Sequence, residues 1–340
     1  MVQLLTFDQL APWQKDNKFV RSGYRRLTRS YWKCLGTIFQ VHNESVNIVC
    51  PLSTNLSASW THLFGSLLAV FAVAYLLLDL SPTSSLSKKR QGWYAPFAGI
   101  PYHFPHESQP SVTFAETVGL ALFLVSVAVC LGFSAFFHTF MAHSKEICHR
   151  WNRLDYVGIV VLISGTFPAT THLGFFCKLL ALCSVSSILT CHYIPGDPHL
   201  RDTYIGLIYV AAAATIMVVI SPQARTPAYR RMRTWLFISL GLSAVFPVGH
   251  AVYRYGLEEA SANISLFWLV LGGALYIAGA LLYAERCPER FAPGKLDFFG
   301  SSHQIFHVLI LLAAWSHFTC ITEGFRYHHG ERGGRCEGRV

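Results

Sequence analysis

Two histidines stand four residues apart in an apolar stretch near the end of the chain, SSHQIFHVLILLAAWSHF (301–318). Residues at this spacing share one face of a helix, so the imidazoles of His303 and His307 can bind one metal ion together. A third histidine from a neighbouring helix would leave the fourth tetrahedral position open to water, as in catalytic zinc sites. Zinc lowers the pKa of water to about 7 and so supplies a nucleophile at neutral pH.

Two earlier stretches contain polar residues that can complete such a site. Ser134 and His138 are four apart in GFSAFFHTFMAHS (132–144), and Asp155 follows in RWNRLDYVGIV (150–160). We predict His138 as the third ligand, Asp155 as the general base or the group that orients the water, and Ser134 as a donor to the water or to an oxyanion. Each also has a plainer explanation: a hydrogen-bonded histidine pair, a helix N-cap at Asp155, and a bond from Ser134 to its own helix.

The composition indicates a protein dissolved in lipid. Of the 340 residues, 52% are hydrophobic and only 13% are charged, whereas soluble domains carry roughly 25% charged residues. Seven apolar stretches come near the roughly 20 residues that a helix needs to cross the bilayer core. We therefore predict an all-α membrane protein, a seven-transmembrane helix bundle, with spans at about 60–80, 113–137, 156–176, 203–221, 234–253, 264–284 and 303–320.

The basic residues predict how the chain threads through the membrane. Seven spans place 17 Lys and Arg on the side of the N-terminus and 10 on the other side. Because cationic loops stay cytoplasmic, the N-terminus is predicted to be inside and the C-terminus outside. No apolar run with a cleavage site precedes the first span, so we expect no cleaved signal peptide. This threading brings Ser134, His138, Asp155, His303 and His307 to one depth near the cytoplasmic face.

The same threading divides the chain into three parts. Residues 1–59 are predicted to be a cytoplasmic segment, 60–322 the transmembrane domain, and 323–340 a non-cytoplasmic tail. The net charge of +9 is explained by this topology and not by nucleic acid, because Lys and Arg stand in short loops and form no basic face. Ten cysteines without a C-x-x-C pair argue against a cysteine zinc site.

The remaining histidines of the spans are predicted to be structural or exposed. His250 lies behind Pro247 in the fifth span, where it is expected to bond a carbonyl that the proline frees. His62 and His317 stand near predicted span ends, where we expect the membrane interface to solvate them.

Several motifs resemble the progestin and adipoQ receptor family, which includes adiponectin receptors, fungal zinc-homeostasis members and haemolysin-III-like proteins. The resemblance implies a seven-helix bundle with a cytoplasmic N-terminus and Zn²⁺ near the inner leaflet, held by His138, His303 and His307. Asp155 and Ser134 match the remaining signature positions, which the alkaline ceramidases share. The motifs are HNESVNI (42–48), THLFGS (61–66), GFSAFFHTFMAHS (132–144), RLDYVGI (153–159) and YAERCPERFAPGKLDFFGSSHQIFHVLILLAAWSHF (283–318).

The activity implied by this resemblance is hydrolysis of a lipid amide such as ceramide, in the plasma membrane or the endoplasmic reticulum. The alternative is a seven-helix receptor with an extracellular ligand, or a regulator of zinc homeostasis, in which the same zinc is structural and no turnover occurs. A cavity that joins the metal's open position to lipid would favour the enzyme. An ion transporter fits less well, because transport sites use ligands near the midplane and the span interiors nearly lack carboxylates.

Two stretches depart from the family pattern. VCPLSTNLSAS (49–59) separates Ile48 from the first span, and KLLALCSVSSILTCHYIPG (178–196) follows the third. We expect the second insertion to form an excursion or partly helical hairpin on the outer side, because an extra crossing would place His303 and His307 across the bilayer from His138.

Overall fold

The computed structural model describes residues 4–48, 62–79, 114–175, 177–178, 194–195 and 198–328, and this part of the chain is nearly all helical. One antiparallel pairing joins Cys177–Lys178 to Ile194–Pro195. The helices are α1 (Tyr31–Gly36), α2 (Ser45–Ile48), α3 (His62–Asp79), α4 (Phe114–Phe140), α5 (Lys145–Gly174), α6 (Pro198–Val219), α7 (Arg230–Leu242), α8 (Val245–Tyr255), α9 (Leu257–Ile264), α10 (Leu266–Glu285) and α11 (Ser302–Arg326).

Six helical segments in the described residues are long and apolar enough to cross a membrane, and His62–Ala74 is a shorter apolar helix. The protein is therefore an integral, multi-pass, all-α membrane protein, as its composition predicts. The count of seven crossings and the orientation of the termini stay predictions. The six segments are Thr117–Phe140, Lys145–Gly174, His199–Val219, Pro227–Tyr255, Leu266–Glu285 and Ser302–Arg326.

Helix α5 begins well before the predicted third span. The Ser144 hydroxyl accepts a hydrogen bond from the backbone N–H of Ile147 at 3.4 Å and caps the helix at its start. Asp155 consequently lies inside the helix, so its explanation as an N-cap is wrong. The first turns of α5 are polar, so a prediction from apolar residues alone places the start of the helix too late.

The predicted fifth span is two helices. A turn at Ser243 and Ala244 separates α7 from α8, and Pro247 stands in the first turns of α8, where its missing N–H costs little. The interpretation of His250 as a partner for a freed carbonyl is wrong. Its Nδ1 instead lies 3.0 Å from the hydroxyl of Tyr204 on α6.

Small residues let α4 and α5 pack closely along their length. A Cβ added at Gly165 would lie 2.4 Å from the Cβ of Ser126, and one added at Gly158 would lie 3.0 Å from the Cα of Cys130. Close backbone approach through small residues is typical of helix pairs in membranes. Because Gly158 follows Asp155 by one turn and Cys130 precedes Ser134 by one turn, this contact fixes the two polar residues at one level.

The N-terminal segment folds against the connection between α10 and α11. Asp16 forms an ion pair with Arg286, and Asn17 donates from Nδ2 to Oε1 of Glu289 at 3.0 Å. Asp297 accepts from the backbone N–H of Arg21 at 2.8 Å. Burial by itself would raise the pKa of Asp16, but Arg286 outweighs it and holds that pKa below its usual range. The segment is thus part of the same folded body as the helices.

The insertion at 49–59, most of the insertion at 178–196 with its predicted excursion, and the tail beyond residue 328 lie outside the described residues.

The close α4–α5 contact predicts a stability difference between two glycine substitutions. Gly165→Ala forces a methyl group into Ser126 and should lower the free energy of unfolding by about 1–3 kcal/mol. Gly206→Ala on α6 is the matched control, since a Cβ there meets nothing within 4 Å. Thermal unfolding in detergent measures both, and equal midpoints for the two variants would contradict the packing described.

Candidate metal centre

The three histidines predicted as metal ligands lie together. The candidate ligand nitrogens of His138, His303 and His307 are all within 4.8 Å of one another. The ring centroids are separated by 5.0 Å for His138 and His303, 4.8 Å for His138 and His307, and 4.7 Å for the pair on α11. Helix periodicity thus brings two imidazoles from α11 against one from α4, and we call these three side chains the histidine cluster.

His138 has the hydrogen bonding of a metal ligand. Its Nδ1 lies 2.8 Å from Oε2 of Glu44, a residue just before α2. Its Nε2 is buried and has no hydrogen-bond partner among the described residues. Ligand histidines commonly donate their second ring N–H to a carboxylate and so direct the other nitrogen to the metal. The residues present therefore fit a tetrahedral metal ion such as zinc, which accepts neutral imidazole nitrogen.

Glu44 is ionised in this position. Burial alone would raise its pKa, but the adjacent His138 ring outweighs burial and holds the pKa well below its usual range. Asn47 also donates to the same carboxylate, from Nδ2 to Oε2 at 2.5 Å. The negative charge next to the histidine cluster therefore persists at neutral pH.

His307 has a fourth histidine beside it. Its Nδ1 lies 3.0 Å from Nδ1 of His62, and the two rings stack with centroids 3.9 Å apart. The expectation that the interface solvates His62 is wrong, because α3 begins at this residue and packs it against α11 with 3% exposure. His62 thus contacts both the face and the Nδ1 of the His307 ring.

Asp155 and Ser134 lie next to the histidine cluster. The Ser134 side chain lies close to the Asp155 carboxyl group, which is within electrostatic reach of His138. Both residues are buried. The polar groups predicted for one depth are therefore neighbours, and the donation from Ser134 to water or to an oxyanion stays a prediction.

Arg25 fixes the end of α4 that carries His138. Its guanidinium donates to the carbonyl oxygen of His138, to that of Thr139 at 3.1 Å, and to Oγ1 of Thr37 at 2.8 Å. The last carbonyls of a helix have no partner inside the helix and attract cations. Burial lowers the pKa of Arg25, yet the charge is useful here because it satisfies these carbonyls.

Glu289 fixes the start of α11 that carries the other two histidines. The carboxylate accepts from the Ser302 backbone N–H at 2.7 Å and from the Ser302 hydroxyl at 2.5 Å. An anion at a helix N-terminus interacts favourably with the helix dipole. The Gln304 amide donates to the carbonyl oxygens of Asn43 at 3.2 Å and Phe298 at 2.9 Å, which links α11 to the N-terminal segment.

A cavity of about 1100 Å³ reaches the histidine cluster. It continues along α5, α7 and α10, and Ile159, Phe237 and Ile277 represent its apolar walls. His138, His303, His307, Asp155 and Ser134 all line it. A molecule with a long apolar part can therefore occupy the cavity while its polar part lies at the histidines.

Sequence reasoning from the spans missed Glu44 and His62. Their signal was present in the motifs HNESVNI and THLFGS, which contain a carboxylate ahead of the first apolar stretch and an imidazole at its start. Glu44 stands outside the predicted spans, so threading does not place it. His62 stands at the cytoplasmic end of the first predicted span, where threading would have placed it at the depth of the other histidines.

Comparison with known proteins agrees with this architecture. The sequence profile of the haemolysin-III related family matches residues 39–318. Adiponectin receptor protein of Drosophila melanogaster is 33% identical over 94% of this chain, which spans 59% of that longer protein. ADIPOR-like receptor IZH1 of Eremothecium gossypii is 33% identical, over 95% of this chain and 85% of the relative. ADIPOR-like receptor IZH2 of Saccharomyces cerevisiae is 31% identical, over 96% and 86%.

A match that covers most of the chain, together with relatives of similar length, agrees with the resemblance found in the motifs. The helical bundle and the histidine cluster lie within the matched region. The chain belongs to the haemolysin-III related family of membrane proteins, with adiponectin receptor proteins among its relatives.

Proposed function

We propose that this protein is a zinc-dependent intramembrane hydrolase of a lipid amide such as ceramide. The observation that carries the proposal is that three clustered imidazoles, two of them buried and one half-buried, face one large apolar cavity together with a buried carboxyl group and a hydroxyl. A ceramide-like lipid fits this combination, because its amide group is polar and its two chains are apolar.

A zinc ion held by His138, His303 and His307 would supply a Lewis acid that polarises the amide carbonyl. It would also lower the pKa of water so that a hydroxide nucleophile is available at neutral pH. Asp155 accepts the proton from the attacking water and then passes it to the leaving nitrogen. Ser134 lies beside the Asp155 carboxyl group and positions it. The apolar cavity walls exclude bulk water from the rest of the lipid.

The second candidate is a receptor or regulator of zinc homeostasis in which zinc is structural. It is favoured by the bond from Glu44 to His138, through which a metal ion would tie the N-terminal segment to α4 and α11. The relatives from fly and fungi are also named as receptors. An extracellular ligand would then act across the bundle without any turnover.

Both candidates share one topology. We propose seven crossings, residues 1–59 in the cytoplasm, 60–322 in the membrane domain, and 323–340 on the far side. Six crossings are the long apolar segments described above. The additional crossing is the first in the chain, α3, which is also apolar. The histidine cluster then lies toward the inner leaflet, beneath the cytoplasmic N-terminal segment.

The purified protein should contain one zinc ion per chain and release fatty acid from ceramide. His307→Ala removes one of three ligands, so metal analysis should find zinc lost and turnover should fall to background. His199→Ala, at an exposed position on α6, should retain both. If the parent protein contains zinc but does not turn over ceramide, the result would contradict the hydrolase and favour the receptor hypothesis.

Asp155→Asn separates catalysis from metal binding. The amide keeps the size of the side chain but cannot take a proton, so turnover should fall by about 10²–10⁴-fold while the zinc content stays unchanged. Zinc analysis and product release on the same preparation measure the two effects. Undiminished turnover in this variant would exclude Asp155 as the general base.

Glu44→Ala should weaken zinc binding by about 10–100-fold, because His138 loses the carboxylate that orients its ring. Competition with a chelator measures the zinc affinity. Glu258→Ala is the matched control, since Glu258 is exposed on α9. Equal zinc affinity in the two variants would show that the bond from Glu44 to His138 does not support the metal site.

A further inference from the structure

A second polar site lies in the same cavity, away from the histidine cluster. Tyr276 of α10 and His317 of α11 stack with ring centroids 5.5 Å apart and planes inclined by 25°. Both line the cavity. His317 is only 7% exposed, so the expectation that the interface solvates it is wrong. The reason is that α11 continues to Arg326, which places His317 well inside the helix.

These two side chains present hydrogen-bonding atoms that the described residues do not satisfy. Oη of Tyr276 and Nδ1 of His317 are buried and have no hydrogen-bond partner within the described part of the chain. Burying polar atoms without a partner is unfavourable, and in most proteins such atoms are paired. Since both atoms belong to cavity-lining residues, a ligand in the cavity is a suitable partner.

Helix packing holds the pair in place. A Cβ added at Gly272 would lie 2.9 Å from Cδ2 of His317, so α10 approaches the imidazole ring as closely as a glycine allows. The preceding residue of α11 is also anchored, because the Ser316 hydroxyl donates to the carbonyl oxygen of Trp268 at 2.7 Å. The His317 ring therefore has little freedom to turn toward another protein group.

The distance from the histidine cluster defines which part of a ligand the pair can contact. His317 follows His307 by ten residues, which corresponds to roughly 15 Å along a helix. Tyr276 precedes Tyr283, whose ring lies 5.0 Å from that of His303, by seven residues or roughly 10 Å. A lipid with its polar head at the cluster would thus meet the pair with the middle of its chain.

The wall between the two polar sites is apolar. Phe306, Ile310 and Ile277 line the cavity along this part of α11 and α10. A ligand that matches both sites and the wall has a polar head, an apolar run, and then one group that both donates and accepts a hydrogen bond. The tyrosine hydroxyl can donate to the oxygen of such a group, and the histidine nitrogen can accept its proton.

We propose that Tyr276 and His317 form a subsite for a hydroxyl group carried at the middle of a fatty acyl chain. The subsite rests on the proposed function, which gives the position of the polar head. The preferred ligands are hydroxylated acyl lipids. A plain acyl chain would fit the same cavity but would leave both polar atoms without a partner, which is the basis of the selectivity.

The test is equilibrium binding of free fatty acids to the purified full-length protein by calorimetry. A fatty acid with a mid-chain hydroxyl should bind about three- to tenfold more tightly than the same acid without it. Moving the hydroxyl next to the carboxyl group should remove the gain. Tyr276→Phe should abolish the preference and leave the affinity for the plain acid unchanged.

Two further variants keep the test decisive. Tyr253→Phe is the control, because Tyr253 is 91% exposed, and it should retain the full preference. His317→Leu should lose the preference in the same way as Tyr276→Phe. Equal binding of the two acids by the parent, no binding of either, or a preference that survives Tyr276→Phe would overturn the subsite.

Amide turnover and zinc content measured on the same preparations separate this proposal from the proposed function. A hydroxyl preference in a protein without turnover would support the subsite and contradict the hydrolase. Ceramide turnover in a protein that binds both acids equally would support the hydrolase and contradict the subsite.

Discussion

The structure depends on packing a group of imidazoles together inside the helical bundle, where each buried nitrogen needs a partner. Each ring has two nitrogens, so a metal can take at most half of them and the protein must supply partners for the rest. Glu44 does this for His138 and His62 does it for His307. Much of the hydrogen bonding at this end of the bundle follows from that requirement.

Two charged residues near the histidine cluster, Glu289 and Arg25, satisfy backbone groups at helix ends. Glu289 and Arg25 each occupy a helix terminus whose backbone groups lack partners, at the start of α11 and at the end of α4. Both helices carry metal-ligand candidates next to those termini, so the two termini fix the relative height of the imidazoles. Asp297 and Arg286 then hold the N-terminal segment against the connection between α10 and α11.

The parts of the site that obey local rules could be predicted from the sequence. The pair on α11 follows from helix periodicity, and the meeting with His138 follows from the direction of successive spans. Glu44 could not be found in this way, because it stands outside the spans, 94 positions from His138. His62 stands at the cytoplasmic end of the first predicted span, so the same threading could have placed it beside His307. The helix ends were also missed, because the polar turns of α5 and the last turns of α11 extend the helices beyond their apolar residues. Because the end of α11 was predicted too early, His317 was expected at the membrane interface, whereas it is buried.

The contacts between the N-terminal segment and the α10–α11 connection also determine when the fold can be completed. Asp16 and Asn17 pair with residues about 270 positions later. The ribosome releases these early residues long before residues 286–289 are made, so their pairing waits until the chain has been synthesised through α10. A chain truncated before Arg286 lacks these partners and cannot close this end of the molecule.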